Sequence, residues 1–460
     1  MFHLLPERQP RSFRGWVMLA NLLFLIGMLW FRPLEGDLNV GVALLVFIAV
    51  MWFSEAMHIT LTALSIPILC VVLGVFDTKT ALSQFSHPII FLFLGGFALA
   101  SALRCQGLDK ALADAILKWS GGKAVYAVFL MLICVAVLSM WISNTATTAM
   151  MLPVMLGLLG QFDTGSEGES DDAGRRRQRF CLLALAYCAS MGGMATVIGS
   201  PPNAIAAAQL GMSFLDWMLF ASPLLAILLP TSLVLLWLII RPTFPKAITT
   251  QVTRFEWTRS RILTASVFAV TVAGWLMSKL IAGWLQVSSV DTLIAMIALV
   301  SLGLLKLMDW KSFQSQTDWG VLLLFGGGLT LSAALQATGT SAFLAQWFAS
   351  LFNEMPLLVM FIGLATFVVF LTEMASNTAS AALLVPLFAS LAAQLGLPEQ
   401  SLVVMVGMAC SCAFMLPVAT PPNAIVFGSG KLEMKDFIRH GLALNILSSI
   451  LLGTYAWLNL

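Results

Sequence analysis

Two tripeptides, Ser143-Asn144-Thr145 and Ser376-Asn377-Thr378, lie inside long apolar stretches at 124–160 and 356–395. Two Pro-Pro-Asn tripeptides, at 201–203 and 421–423, interrupt apolar stretches at 180–210 and 401–429. These residues carry hydroxyls and carboxamides, and they release backbone groups. Their chemistry is ion recognition rather than bond breaking. Ser143 and Asn144 are good N-cap residues, and the Ala-rich stretch after Thr145 starts a helix. A helix N-terminus at apolar depth presents unpaired N–H groups and a positive dipole, which suit an anion. Pro201 and Pro202 remove two donors and force the preceding residues out of helix. Carbonyls freed near Ser139, Gly199, Ala375 and Ala419, with the Asn144 and Asn377 side chains, are hard oxygen ligands for a small cation. Thr145, Thr378, Ser200 and Thr420 add hydroxyl donors for carboxylate or sulfate oxygens. None of the four motifs contains Lys or Arg. An anion held by dipoles and hydroxyls alone binds better with cations beside it, which is a physical reason to couple the two.

The elements that position these residues are membrane helices. Of 460 residues, 59% are hydrophobic and 10% charged, against about 45–50% and about 25% in a soluble domain. This excludes a soluble enzyme, a nucleic-acid binder and a secreted disulfide scaffold. The seven cysteines have no metal-like spacing, and Cys410-Ser411-Cys412 reads as small buried hydrophobes. Apolar runs predict spans near 16–32, 39–57, 60–76, 88–105, 216–240, 262–284, 290–308, 319–337 and 437–458, with the two broken stretches as further crossings. The run from Trp16 reads as a first span that stays, since no small-residue cleavage site precedes Arg32. The segment 108–119 alternates Asp109, Lys110, Asp114 and Lys118 with apolar residues and reads as an interfacial helix.

The chain repeats itself. FLFLGGFALASAL at 91–103 matches LLLFGGGLTLSAAL at 322–335, the Ser-Asn-Thr motifs are each followed by a proline (Pro153 and Pro386), and GSPPNAIA from Gly199 matches ATPPNAIV from Ala419. This divides the chain into an N-terminal segment and first helix (1–38), repeat 1 (39–240), a cytoplasmic linker (241–261) and repeat 2 (262–460). If the long motif stretches at 124–160 and 356–395 are re-entrant hairpins, all of the 24 Lys and Arg except Arg32, Lys79 and Lys279 fall on one side. The positive-inside rule then gives eleven crossings, a cytoplasmic N-terminus and an external C-terminus in the cell's inner (plasma) membrane. The two repeats are inverted, and inverted repeats with interrupted helices point to a secondary transporter whose site lies between the halves.

Glu55 and Glu373 are the best candidates for ionisable groups within spans, and intramembrane acids are functional candidates. Glu373 adjoins the second Ser-Asn-Thr, but its repeat equivalent is Met140, so it is not part of a symmetric site. It reads as either a buried hydrogen-bonded acid or a coupling group. Glu55 with His58 reads as structural.

The doubled Ser-Asn-Thr and Pro-Pro-Asn motifs, in this order, resemble the divalent-anion/sodium symporter family of di- and tricarboxylate carriers over roughly residues 35–460. The resemblance implies a homodimer with a scaffold domain and a transport domain that moves like an elevator. It implies a first sodium site from Ser143 and Asn144 with carbonyls near Ser139 and Gly199. A second would use Asn377 with Thr372, Ala375 and Ala419. It also implies carboxylate contacts from Asn144, Thr145, Ser200, Asn377, Thr378, Thr420 and Pro421.

The expectation is therefore an all-α integral membrane protein importing C4-dicarboxylates such as succinate, fumarate or malate with sodium, without organic cofactor or nucleic-acid partner. A sodium-independent dicarboxylate exchanger and a citrate or sulfate carrier of the same fold are the alternatives. An intramembrane enzyme fails for want of HExxH, GxSxG or an aspartate pair within spans, and a doubled closed motif favours alternating access over a channel.

Overall fold

The computed structural model describes residues 11–108, 111, 115, 119–164, 171–245, 255–352 and 355–460. Among these, every regular element is helical, because at bilayer depth each backbone donor must find its acceptor within its own segment. Local chemistry sets the helix ends. Asp77 caps Thr78–Ser83 by accepting from Thr80 N at 2.9 Å. Ser213 and Asp216 form a reciprocal capping box at the start of Phe214–Ile240. Pro88, Pro201 and Pro421 stand in first turns, where no intrahelical N–H is missed.

The elements run twice in the same order. Gly36–Ser54, Ile59–Val72 and Pro88–Cys105 lead to a helical hairpin, Ala124–Ser139 and Asn144–Thr164, and then to Asp171–Gly192, a break, Pro201–Leu210 and Phe214–Ile240. The second half runs Arg259–Leu276, Val290–Leu304, Trp319–Ala337, the hairpin Leu357–Met374 and Asn377–Leu395, Glu399–Ala409, a break, Pro421–Phe427 and Met434–Leu458. The halves interlock, and the contacts come in matched pairs. Ile59–Val72 packs on Trp319–Ala337, while its counterpart Val290–Leu304 packs on Pro88–Cys105. Pro201–Leu210 lies against Asn377–Leu395 and Glu399–Ala409. Pro421–Phe427 lies against Asn144–Thr164 and Asp171–Gly192.

Nine described helices are long and apolar enough to cross a bilayer, or ten if Arg259–Leu276 and Ser278–Leu285, bent by 72°, form one crossing. The sequence-based expectation was eleven, and the difference has local causes. Ile59–Val72 and Val290–Leu304 have only 14 and 15 residues, below the ~20 of a straight span. Glu399–Ala409 has 11 because the break follows it. Conversely, the hairpin arms Asn144–Thr164 and Asn377–Leu395, with 21 and 19 residues, are as long as spans. Most of the expected interfacial segment 108–119, and residues 246–254 of the expected linker, lie outside the described residues.

With lipid as solvent, helix association rests on close backbone approach at small residues. Gly453 lies so near the backbone of Ile362 that a Cβ would have no room, and Gly441 meets the Phe414 carbonyl in the same way. These contacts press the last helix against the second hairpin and the second break. Gly441→Ala and Gly453→Ala should each cost ~1–3 kcal/mol, the range of overpacked cores. Thermal melts of the purified protein in detergent check this. An unchanged melt in both variants would mean that the last helix does not seat there.

Candidate functional site

The structure brings the motif residues of each half into a cluster of oxygens. In the first half, the Ser139 hydroxyl donates to the Ala189 carbonyl at 2.6 Å and stands 2.7 Å from the Asn144 carboxamide. The same end of that carboxamide lies 3.2 Å from both the Ala189 and Gly199 carbonyls. With its NH2 end toward them, it donates to Ala189 O, Gly199 O and Ser139 Oγ. With its oxygen turned toward them, only oxygens converge, and a cation is what such a shell accommodates. In the second half, Thr372 takes the place of Ser139. Its hydroxyl lies 2.7 Å from Asn377 Oδ1 and 3.1 Å from the Cys410 carbonyl.

Other expected ligands are placed differently. The Ser143 hydroxyl accepts the Ala146 N–H at 3.3 Å, so here it acts as a helix cap. Ala375 ends its helix in extended conformation (φ −137°, ψ 162°), and Ala419 directly precedes the extended Thr420; both are buried. Ser200 and Thr420 are 3% exposed and open the two half-helices that follow the breaks. The Thr420 hydroxyl caps its own helix at Asn423 N, 3.3 Å away. The Ser200 hydroxyl instead meets Ser411 of the other half at 3.0 Å, joining the two breaks. Thr378 is buried, whereas Thr145 and Pro421 are exposed. Asn144–Thr164, which carries Thr145, packs against Pro421–Phe427.

The breaks are held by the asparagines of the two Pro-Pro-Asn motifs, a role that the sequence analysis did not assign to them. The Asn203 amide donates to the Gly193 and Thr196 carbonyls at 2.8 and 2.7 Å, and Asn423 donates to Ala413 and Leu416, both at 3.1 Å. Both asparagines are fully buried. Each replaces the hydrogen bonds that the prolines and the non-helical turn deny the backbone.

The hairpin tips are tied to the breaks in two ways. In the first half, the Thr196 hydroxyl donates to the Met140 carbonyl. In the second half, Glu373 occupies the Met140 position and does this work alone. Its Oε1 accepts from Met415 N and Asn445 Nδ2, each at 2.7 Å, and its Oε2 accepts from Leu416 N at 3.0 Å. All three partners are donors, so both oxygens of the side chain act as acceptors. Of the two readings left open for Glu373, the structure shows the hydrogen-bonded acid. Glu55 ends Gly36–Ser54 in left-handed conformation (φ 48°), and His58 caps the next helix through Thr60 N at 3.3 Å. Both are exposed and belong to a turn rather than a span. Cys410 and Cys412 are buried free thiols, and the described residues contain no cluster of three or more His, Cys, Asp or Glu that would hold a metal.

Glu373→Gln places an NH2 where a backbone N–H already points. It should lower stability by ~1–3 kcal/mol, the cost of a buried unsatisfied donor. Thermal melts of the two proteins measure this. An equal melting temperature would show that the carboxylate does not hold the second hairpin to its break.

Comparisons with known proteins agree with this architecture. The family model described as CitMHS, citrate transporter, matches residues 45–406. An uncharacterized transporter of Haemophilus influenzae is 43% identical over 96% of both chains. The sodium-dependent dicarboxylate transporter SdcS of Staphylococcus saprophyticus is 32% identical over 95% of this chain and 89% of its own. Among solved structures, the YdaH transporter of Alcanivorax borkumensis, described as having an unusual topology, superposes with a TM-score of 0.59. It covers 88% of this chain and 99% of its own at 15% identity, so it speaks for the fold alone. The chain is a membrane-embedded transporter rather than an enzyme, and it belongs to the citrate transporter family.

Proposed function

We propose that the protein is a sodium-coupled symporter that imports C4-dicarboxylates such as succinate, fumarate or malate. One observation carries this reading: each half places a hydroxyl, a motif carboxamide and a backbone carbonyl within hydrogen-bond distance of one another, Ser139 and Asn144 with Ala189, and Thr372 and Asn377 with Cys410. Each cluster stands beside a helix N-terminus, where unpaired N–H groups and the dipole favour an anion. Sodium in the two clusters supplies the positive charge that the motifs lack. Ser139, Asn144 and Gly199 ligate the first ion, with Ser143 freed from its cap; Thr372, Ala375, Asn377 and Ala419 ligate the second. The carboxylates meet Asn144, Thr145, Ser200, Asn377, Thr378, Thr420 and Pro421. A relative described as a sodium-dependent dicarboxylate transporter supports the choice of ion and cargo.

In this reading, the two hairpins are re-entrant and the repeats inverted, with the N-terminus cytoplasmic and the C-terminus external. The protein works as a homodimer in the cell's inner membrane, each protomer moving its motif-bearing half-helices and hairpins as an elevator against the remaining helices. The charge distribution and the matched cross-packing of the halves support this topology.

Two observations favour neighbouring readings. With its NH2 end inward, Asn144 satisfies the first cluster without an ion, as a sodium-independent exchanger requires. The family model is described as a citrate transporter, which favours the larger tricarboxylate.

Uptake of labelled succinate into proteoliposomes separates these readings. Symport gives uptake into empty vesicles that requires an inward sodium gradient and fails in choline. Exchange gives uptake only into dicarboxylate-loaded vesicles, regardless of sodium. Labelled citrate in place of succinate tests the cargo. If sodium is coupled, Asn144→Ala and Asn377→Ala should each raise the sodium concentration for half-maximal uptake by about tenfold or more, as loss of a metal-site group does. Unchanged sodium dependence in both variants would remove the clusters from the ion path.

A further inference from the structure

The first hairpin tip carries a large ring where the second carries a flexible thioether. Trp141 stands three residues before Asn144, in the turn between Ala124–Ser139 and Asn144–Thr164. Counting from Ser143 and Ser376, its repeat equivalent is Met374, which is 81% exposed. Trp141 is half-buried and ends a row of rings. It stacks on Phe214 with centroids 5.9 Å apart and planes at 22°, and Phe214 stacks in turn on Trp275 at 4.8 Å and 21°. Phe268 meets Trp141 edge-on, at 5.5 Å and 80°. Aromatic pairs in these two geometries attract beyond the area they bury.

The rings under Trp141 are fixed by contacts that do not involve the hairpin. Phe214 and Trp275 are fully buried, and Asp291 holds both. Its Oδ2 accepts the Phe214 N–H at 2.8 Å, and its carbonyl accepts the Trp275 indole N–H at 3.0 Å. The capping box of Ser213 and Asp216 sets the turn that carries Phe214, and Lys279 Nζ pairs with Asp216 Oδ1 at 2.5 Å. Phe268 and Trp275 lie seven residues apart on Arg259–Leu276, two turns along one side of that helix. The helix itself packs on Val290–Leu304, which carries Asp291. Residues of the second half thus decide where the Trp141 ring can sit.

We propose that Trp141 is a positioning residue for the first cluster. Its ring docks the hairpin tip on Phe214 and Phe268 and thereby sets where Asn144 meets Ser139, Ala189 and Gly199. It touches neither ion nor cargo. Groups that form a site must be held to within about 0.5 Å of the working geometry. Asn144 is the first residue of its helix, next to the turn that Trp141 fixes, so a displaced ring displaces the carboxamide. The second tip needs no such ring, because Glu373 ties it to Met415, Leu416 and Asn445. The effect of Trp141 on sodium rests on the sodium reading of the first cluster; its hold on the tip does not.

Hydrogen exchange of the purified full chain in detergent, without substrate or sodium, tests the hold on the tip. The Ile142, Ala146 and Thr147 amides bond to Leu138 O, Ser143 Oγ and Ser143 O. In Trp141→Ala they should exchange about tenfold faster, the order expected from losing two ring contacts. Trp141→Phe keeps a ring and should stay within about threefold of the wild type. Met374→Ala should leave exchange at 373–380 unchanged. Phe268→Ala removes the ring from the other side; it should open the same amides and decides the matter if Trp141→Ala does not fold. In proteoliposomes, Trp141→Ala should raise the half-saturating sodium concentration by about tenfold, and Trp141→Phe should restore it. Unchanged tip exchange, or a rise spread over the whole chain as from simple loss of stability, overturns the proposal. So does sodium-dependent uptake whose half-saturation Trp141→Ala does not move. Faster tip exchange in a protein that takes up succinate regardless of sodium supports the hold on the tip and removes the sodium reading alone.

Discussion

The structure depends on how two helices survive being broken inside an apolar bundle. A non-helical turn at that depth exposes carbonyls that water cannot reach, and each costs several kcal/mol if left unpaired. Asn203 and Asn423 meet this cost with their amides, each bridging two carbonyls of its own break. Once those carbonyls are occupied, the neighbouring Gly199, Ala189 and Cys410 oxygens can face the motif side chains instead. The Pro-Pro-Asn motif is thus one device: the prolines open the backbone and the asparagine closes the part that must not stay open.

The two halves use this device with different reinforcement. A hydroxyl-to-carbonyl bond from Thr196 holds the first hairpin tip, whereas a buried carboxyl group, Glu373, holds the second. The symmetric parts are the clusters of hydroxyl, carboxamide and carbonyl; the asymmetric part is how each tip is held. A neutral hydrogen bond contributes about 1 kcal/mol net, and bonds to a charged group about 1.5–3. Glu373 makes three hydrogen bonds, including one to Asn445 on the last helix.

Much of this was legible in the residues. The duplication is visible because the motifs recur in order, and Asn144 and Asn377 stand out as polar groups in apolar runs. Ser139 was expected for its carbonyl and Thr372 only from the family resemblance, whereas it is their hydroxyls that meet Asn144 and Asn377. The role of Asn203 and Asn423 escaped because the adjacent prolines already explained the break. Glu373 was ambiguous because its donors lie 42, 43 and 72 residues away along the chain. The expected and observed span counts differ at short apolar helices such as Ile59–Val72, whose 14 residues fall below the length of a straight span.

The exchange of contacts between halves has a consequence for how the protein is made. The half-helix Pro201–Leu210 packs on Asn377–Leu395, and Ile59–Val72 packs on Trp319–Ala337. While the ribosome is still translating the second half, the first half sits in the bilayer with these faces uncovered. Chains emerge at ~5–20 residues per second, so about ten to fifty seconds pass before the covering helices arrive. Throughout that interval, the first break has its asparagine but not its opposing hairpin. The nascent protein is thus most exposed to wrong helix partners and quality-control proteases midway through synthesis. Truncation anywhere before Asn377 leaves a half that cannot bury its own motif.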